Sequence, residues 1–179
     1  LTRATLDGQK AAFANEPALY DYLQAAFALY VEHQPDNALK HLPQELPSSL
    51  DYLAFSQQTL RGLALEAKQD WKGAEALWLQ LLPLAKQPLQ RDQLELALAM
   101  NYERSGQLAK VFAADSPIQT KQVRYILLRS VAGPELLRQQ ISQASDPLER
   151  STAQFVLLYK DLLRGQFAQV VVERWFAAV

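Results

Sequence analysis

The sequence predicts an all-α protein built as an αα-hairpin repeat array of about five helix pairs, and three observations predict this class. Apolar residues recur at helical spacing, as in Leu19, Leu23, Phe27 and Tyr30, which lie on one stripe of a helix. The alternation of apolar and polar residues that is typical of half-buried strands is missing. Turn signals recur with a period typical of a repeated unit of two helices, roughly 34 residues.

About ten predicted helices divide the 179 residues, and we group them in pairs. The pairs are 17–33 with 36–46, 49–68 with 71–86, 89–105 with 107–114, 117–132 with 134–144, and 147–164 with 166–178. The turns inside the pairs fall near residues 34, 70, 106, 133 and 165. Each helix pair needs a neighbouring pair to bury its apolar face. We therefore expect one domain over 17–179, with residues 1–16 as an N-terminal extension or the tail of an earlier helix.

Capping residues followed by proline predict where several helices begin. Ser116-Pro117, Gly133-Pro134 and Asp146-Pro147 each place a capping residue before a proline, whose fixed φ suits the first helical position. Asp146 with Glu149 three residues later is similar to a capping box, and Ser48 with Asp51 is a weaker case. We expect these prolines to start helices rather than to break them.

The segment from Gly62 to Trp78 resembles a tetratricopeptide repeat. Gly62 is the small residue where the first helix meets its partner, Trp71 opens the second helix, Ala74 stands at the tight crossing, and Trp78 follows one turn later. Pro88 falls near the terminating proline of the family. Two helices approach to about 8–10 Å only where small side chains face the contact. The resemblance implies a right-handed α-solenoid with Trp71 and Trp78 in its core.

The other pairs keep the period of this family while losing its motif residues. Val111 and Val170 stand where alanine is usual, and Pro35 replaces the aromatic residue of the first pair. The turns near 106 and 133 lie closer together than the family period of about 34 residues. The resemblance therefore covers most of the chain in period and one repeat in detail.

The resemblance also implies that the first helix of each pair lines a concave surface. The corresponding positions include Ser56, Thr59, Met100 and Phe155. We expect a partner protein to contact the aromatic and polar residues among these positions, since interfaces combine aromatic anchors with polar groups. The expected partner-binding residues are Tyr20, Phe27, Tyr30, Gln93, Glu103, Arg104 and Tyr159. Core packing is the alternative role for the aromatic members.

Charge and composition argue against several classes of partner. The formal net charge is −1, from 18 basic and 19 acidic residues without a long block of either sign. Nucleic-acid binding needs clustered Lys and Arg, and the nearest cluster, Lys121, Arg124 and Arg129, is expected to be a solvated helix face. No apolar run approaches the roughly 20 residues of a transmembrane helix. Cysteine is absent, which excludes disulfides and leaves the compartment open.

Catalytic, cofactor and metal sites are not expected from the residues present. His33 and His41 flank the first turn, but nothing matches the HExxH arrangement, and solvated turn residues explain both. Possible acid and base pairs such as Glu66 with Asp70 and Glu149 with Asp161 fall at helix ends or on expected solvated faces. Neither a GxSxG elbow nor a phosphate-binding glycine loop occurs.

The leading hypothesis is a non-enzymatic scaffold that binds a protein or peptide segment, or other domains of the same chain. A glutamine-rich composition, as at Gln57-Gln58 and Gln139-Gln140, resembles Gram-negative envelope proteins and suggests a periplasmic or outer-membrane-associated bacterial protein, with the cytoplasm as alternative. The alternative function is the non-catalytic superhelical domain of a cell-wall-degrading enzyme of the lytic-transglycosylase type. The apolar, uncapped residues 170–179 lead us to expect a longer natural protein or a covered end.

Overall fold

A computed structural model describes residues 2–163, and over this range it is all-α without a β-strand, as the sequence predicts. The helices are α1 (Arg3–Gly8), α2 (Pro17–Tyr30), α3 (Pro35–Lys40), α4 (Tyr52–Ala67), α5 (Trp71–Leu81), α6 (Pro88–Arg104), α7 (Lys121–Ser130), α8 (Pro134–Gln143) and α9 (Pro147–Leu163). Short 3-10 turns cover Lys10–Phe13, Leu82–Leu84 and Leu108–Phe112. The helix expected at 166–178 lies outside the described residues.

The chain divides into two compact units, Leu1–Asn101 and Tyr102–Val179. In the first unit, α2 packs against α3 and α4, and α4 packs in turn against α3 and α5. In the second unit, α9 packs against both α7 and α8. Packing between consecutive helices is compatible with a helical repeat, because each helix buries its apolar stripe against its neighbours.

The N-terminal residues form a small element of their own in the first unit. Leu6 of α1 is buried in a cluster with Tyr20 and Phe27 of α2. Arg3 places its guanidinium 4.8 Å from the centre of the Phe27 ring and forms an ion pair with Glu32. Hydrogen bonding from Arg3 lowers the pKa of Glu32. Leu6 and Arg3 therefore attach α1 to α2, and Gln24 of α2 adds a hydrogen bond from Nε2 to the Asp7 carboxylate at 3.0 Å.

The turns after α2, α4 and α6 share a left-handed residue. His33, Gln69 and Gly106 have φ values of 55°, 61° and 73°, and each lies close to one repeat period from the next. A residue in this conformation commonly ends a helix, because it lets the next amide bond to a carbonyl of the last turn. After Gln69, the Asp70 amide donates to the Leu65 carbonyl at 2.9 Å. The expected turns near residues 34, 70 and 106 are therefore confirmed.

The α4–α5 pair has the close contact that the sequence predicts. Trp78 is completely buried, and its indole lies so close to Gly62 that a Cβ on Gly62 would overlap the ring. The Trp78 Nε1–H donates to the Glu66 carboxylate at 3.2 Å, which gives the buried indole N–H a partner. Ala74 is also fully buried. The core positions of Gly62, Ala74 and Trp78 are confirmed, whereas Trp71 is only half-buried.

Two of the three predicted proline helix starts are confirmed and one is wrong. Pro134 and Pro147 begin α8 and α9. Ser116-Pro117 does not begin a helix, since α7 starts at Lys121. The Ser116 hydroxyl instead accepts from the Ile118 amide at 3.3 Å and holds a turn. Serine competes in this way with helix formation by bonding the nearby backbone.

Other boundaries also differ from the predicted ones. Helix α4 begins at Tyr52 rather than 49, because the Asp51 carboxylate accepts from the Ala54 amide at 2.8 Å and caps the helix there. The expected helix 107–114 is the 3-10 turn Leu108–Phe112, and the expected 36–46 ends at Lys40. At the start of α9, Asp146 caps the helix, but Glu149 bonds Arg124 instead of completing a capping box.

Candidate partner-binding groove

In the first unit, residues of α2, α4 and α6, each the first helix of a predicted pair, line a groove of about 290 Å³. Trp78 of α5 also contributes to the lining. We call this site the Tyr30 groove. It is lined by Tyr22 and Tyr30 of α2, by Phe55, Ser56, Thr59, Leu60 and Leu63 of α4, by Trp78, and by Gln93, Leu94 and Ala97 of α6.

The sequence period brings corresponding turns of the three helices into the same groove. Tyr30, Leu63 and Ala97 all line it, and each follows the one before by about one repeat period. Thr59 and Gln93 also line it and are related by the same period. The repeat that is visible in the sequence therefore positions the side chains of this site.

Two glutamines make related hydrogen bonds between neighbouring first helices. Gln57 of α4 donates from Nε2 to the Ala18 carbonyl in the first turn of α2, at 3.0 Å. Gln90 of α6 donates from Nε2 to the Leu50 carbonyl just before α4, also at 3.0 Å. Each bond ties a first helix to the beginning of the first helix one pair earlier. These bonds fix the helices that form the walls of the Tyr30 groove.

The Tyr30 groove is neutral and aromatic, since its described lining contains no charged side chain. Tyr30 is 58% exposed, and partial desolvation together with the neighbouring Tyr22 raises its pKa. The phenol therefore stays a neutral hydrogen-bond donor at physiological pH. The Thr59 hydroxyl oxygen is buried and has no hydrogen-bond partner in the described part of the chain. An exposed ring above an apolar floor can accept apolar side chains and direct one or two hydrogen bonds.

Tyr20 and Phe27 lie elsewhere in the first unit. Their side chains are only 9% and 6% exposed and pack around Leu6, with the Phe13 ring 5.9 Å from Tyr20. The Tyr20 hydroxyl accepts from Gln24 Nε2 at 2.6 Å. These two residues are core residues and not surface anchors, which is the alternative role that the sequence left open for the aromatic members, because α1 occupies the face of α2 on which they lie.

Glu103, Arg104 and Tyr159 belong to the second unit. Glu103 is half-buried and Arg104 is exposed, both at the end of α6. Tyr159 is 51% exposed and stacks on Phe155, with ring centres 6.3 Å apart and an interplanar angle of 9°. Their role in partner binding stays a prediction. Of the seven expected residues, Tyr30 and Gln93 meet in the Tyr30 groove.

The second unit contains a polar cleft of about 730 Å³ in which two ion pairs connect neighbouring helices. Arg124 donates from Nη2 and Nε to the two oxygens of Glu149 at 3.0 and 3.2 Å, and from Nη1 to the Val111 carbonyl at 2.9 Å. Arg124 and Glu149 are therefore not on a solvated face. Lys121 bonds Asp146 at 2.7 Å, which raises the pKa of Lys121 and lowers that of Asp146. These contacts hold α7 to α9.

Residues 2–163 contain neither a cluster of metal-binding side chains nor a helix that could span a membrane. Within this range no three His, Asp or Glu side chains form a group that could hold a metal ion. His33 is the left-handed residue after α2, and His41 follows the last turn of α3. No helix in the described part of the chain has both the length and the apolar character needed to cross a bilayer.

Sequence reasoning missed Tyr22, Phe55 and Leu63 as groove residues. The repeat period itself was the signal that could have found two of them, because Leu63 follows Tyr30, and Tyr22 precedes Ser56, by about one period.

Comparison with known proteins adds no assignment, since no protein-family model, curated protein or solved structure matches the chain.

Proposed function

We propose that the protein is a non-enzymatic helical-repeat scaffold that binds a segment of a partner protein in the Tyr30 groove. The observation that carries the proposal is an exposed tyrosine beside an apolar floor, on helices that successive pairs contribute. Tyrosine is enriched in binding hot spots, because its ring supplies a large apolar contact and its hydroxyl a hydrogen bond.

The openness of the Tyr30 groove to solvent favours a protein segment over a small molecule. Pockets for small molecules usually have volumes of about 300–1,000 Å³ and bury most of the ligand. The groove, at about 290 Å³, lies at the lower end of that range and is open to solvent, with Tyr30 58% exposed. It suits the side chains of a segment whose remaining surface stays in solvent.

The recurring features of the three pairs support the tetratricopeptide-like part of the proposal. They are the left-handed turn residues after α2, α4 and α6 and the glutamine bonds between first helices, and the buried Gly62–Trp78 contact of the α4–α5 pair adds the motif of one repeat. A right-handed α-solenoid would place successive first helices side by side, as the Tyr30 groove requires. A bacterial envelope location remains the hypothesis that the glutamine-rich composition favours.

A library of random displayed peptides, selected on the immobilised chain, tests the proposal. Selected peptides are then measured by fluorescence anisotropy against wild type, Tyr30→Ala and Tyr159→Ala. Tyr159 is a matched control, since it has a similar exposure and lies outside the Tyr30 groove. Truncating a hot-spot tyrosine costs about 2 kcal/mol or more, so we expect at least roughly tenfold weaker binding for Tyr30→Ala.

If the Tyr30 groove is the binding site, Tyr159→Ala binds like wild type, whereas weaker binding for Tyr159→Ala alone would favour a site at Tyr159, which the sequence also named as a partner-binding residue. Circular dichroism verifies that both variants keep their helix content. Equal affinity of the selected peptides for wild type and Tyr30→Ala would overturn the proposal. A library that yields no peptide above the background of a blank surface would also count against it.

A further inference from the structure

A second pocket adjoins the Tyr30 groove in the first unit. We call it the Tyr52 pocket; its volume is about 470 Å³, and it is lined by Asn15, Glu16, Pro17, Ala18, Leu19, Tyr22, Tyr52, Leu53 and Ser56. Tyr22 and Ser56 line both sites. The two sites therefore adjoin along α2 and α4, and we call the two together the channel.

The channel follows both helices in the same direction. The Tyr52 pocket is lined by the beginning of each helix, at 17–22 of α2 and 52–56 of α4. The Tyr30 groove is lined by the later part of each helix, at 22–30 of α2 and 55–63 of α4. The midpoints of these ranges are five to seven residues apart along each helix. At a rise of about 1.5 Å per residue, the two sites are about 8–10 Å apart.

The lining favours a helical occupant over an extended one. An extended segment needs partners for its backbone N–H and C=O groups, whereas a helix satisfies these groups internally. Polar side chains are few in the channel, with Asn15, Ser56 and Gln93 among them, and aromatic and aliphatic side chains predominate. On a helix, positions i and i+7 on one face are about 10.5 Å apart, close to the separation of the two sites.

The two ends of the channel differ in charge, because the carboxylate of Glu16 lies at the Tyr52 pocket. Among the described residues that line either site, Glu16 is the single charged side chain. Glu16 is exposed, and its carboxylate makes no capping hydrogen bond to α2. A cationic side chain would complement it, because opposite charges across an interface favour the correct orientation of a partner.

We propose that the occupant of the channel is an amphipathic helix of the partner with large apolar side chains at positions i and i+7. One apolar side chain enters the Tyr30 groove and the other enters the Tyr52 pocket. A Lys or Arg next to the second side chain faces Glu16. This inference rests on the proposed function and names the kind of partner segment that the same site selects.

Synthetic helical peptides test the inference directly. The matched peptide carries leucines at i and i+7 with a lysine beside one of them. A first isomer has the same composition with one leucine moved to the opposite face, and a second peptide carries glutamate in place of lysine. Their affinities are measured by fluorescence anisotropy for wild type, Tyr52→Ala, Glu16→Gln and Tyr30→Ala.

Burial of a leucine side chain predicts that the isomer binds roughly tenfold to a hundredfold more weakly than the matched peptide. Tyr52→Ala is expected to reduce this difference, since it removes a wall of the second pocket. An exposed ion pair contributes modestly, so wild type should prefer lysine to glutamate by about twofold to fivefold, and Glu16→Gln should abolish the preference.

The outcomes separate this inference from the proposed function. If the isomer binds as tightly as the matched peptide, or if Glu16→Gln keeps the lysine preference, the two-anchor helix is refuted. Tyr30→Ala would then still weaken the selected peptides if the proposed function holds. If Tyr30→Ala leaves every peptide unaffected, the proposed function itself fails.

Discussion

Replacement of Gly62 by alanine tests the packing of the α4–α5 pair. The new Cβ would overlap Cζ2 and Cη2 of Trp78 and lie 2.8 Å from Cε2, where ordinary contacts are 3.4–4 Å. Trp78 is fully buried, and its indole donates to Glu66, so the ring cannot move away without losing contacts. Alanine gains about 1 kcal/mol in helix propensity, and overpacking costs about 1–3 kcal/mol.

The clash involves a rigid buried ring, so we take the overpacking cost near the upper end of its range. The expected net loss in the free energy of unfolding is then about 1–2 kcal/mol, or a decrease in Tm of about 2–8 °C for a chain of this size. Urea denaturation followed by circular dichroism measures the change. Gly8→Ala is the control, since a Cβ there meets no atom within 4 Å.

A double-mutant cycle identifies the clashing partner. Phenylalanine at position 78 has a shorter ring, so Gly62→Ala should cost less in a Trp78→Phe background than in wild type. Equal costs in the two backgrounds would refute the contact. A Gly62→Ala variant that is as stable as wild type, with Trp78 intact, would refute the close packing of the pair.

Three further perturbations test other buried or paired groups. Asn101 is fully buried, and neither of its side-chain polar atoms has a hydrogen-bond partner within residues 2–163. Asn101→Leu removes these unpaired polar atoms and should therefore raise the free energy of unfolding by about 1 kcal/mol. A lower free energy of unfolding, measured by urea denaturation, would contradict this prediction. Arg124→Ala leaves the buried Glu149 carboxylate without its guanidinium partner, so it should lower the free energy of unfolding by about 3–5 kcal/mol in the same assay. A decrease of less than about 1 kcal/mol would mean that the ion pair is not desolvated. The hydrogen bond from Lys121 lowers the pKa of Asp146. The ionised Asp146 therefore stabilises the fold fully at a pH above the ordinary Asp pKa, and this stabilisation is lost as the pH falls through the lowered pKa. Asp146→Asn should therefore flatten the acid side of the stability profile, and an unchanged profile would exclude this ion pair as a cause.

The helices and their turns could be predicted from the sequence because their signals are local. A stripe such as Leu19, Leu23, Phe27 and Tyr30 specifies a helix through spacing alone. The Gly62–Trp78 contact could be predicted because the small residue and the large ring lie on paired helices at motif spacing. Helix ends were harder to predict from the sequence. Asp51 and Ser116 both accept a hydrogen bond from the backbone, but the bond of Asp51 caps a helix and that of Ser116 holds a turn, and residue type alone does not distinguish these outcomes.

The candidate site could be predicted only in part because burial depends on distant segments. Tyr20 and Phe27 are on the expected face of α2, but Leu6 and Arg3 of α1 cover them. Tyr30 extends beyond this cover and is exposed. In the same way, the sequence shows Arg124 as a charge on a helix without indicating that its partner is Glu149, at the start of α9.

A titration of the isotope-labelled chain with a selected peptide, followed through the amide chemical shifts, locates the binding site on the protein. We predict that the largest shifts map to the Tyr30 groove, at Tyr30 in α2, Thr59 in α4 and Gln93 in α6. Amides around Phe155 and Tyr159 should change little. Shifts concentrated around Tyr159, with none along α2 and α4, would contradict the assignment of the Tyr30 groove as the binding site.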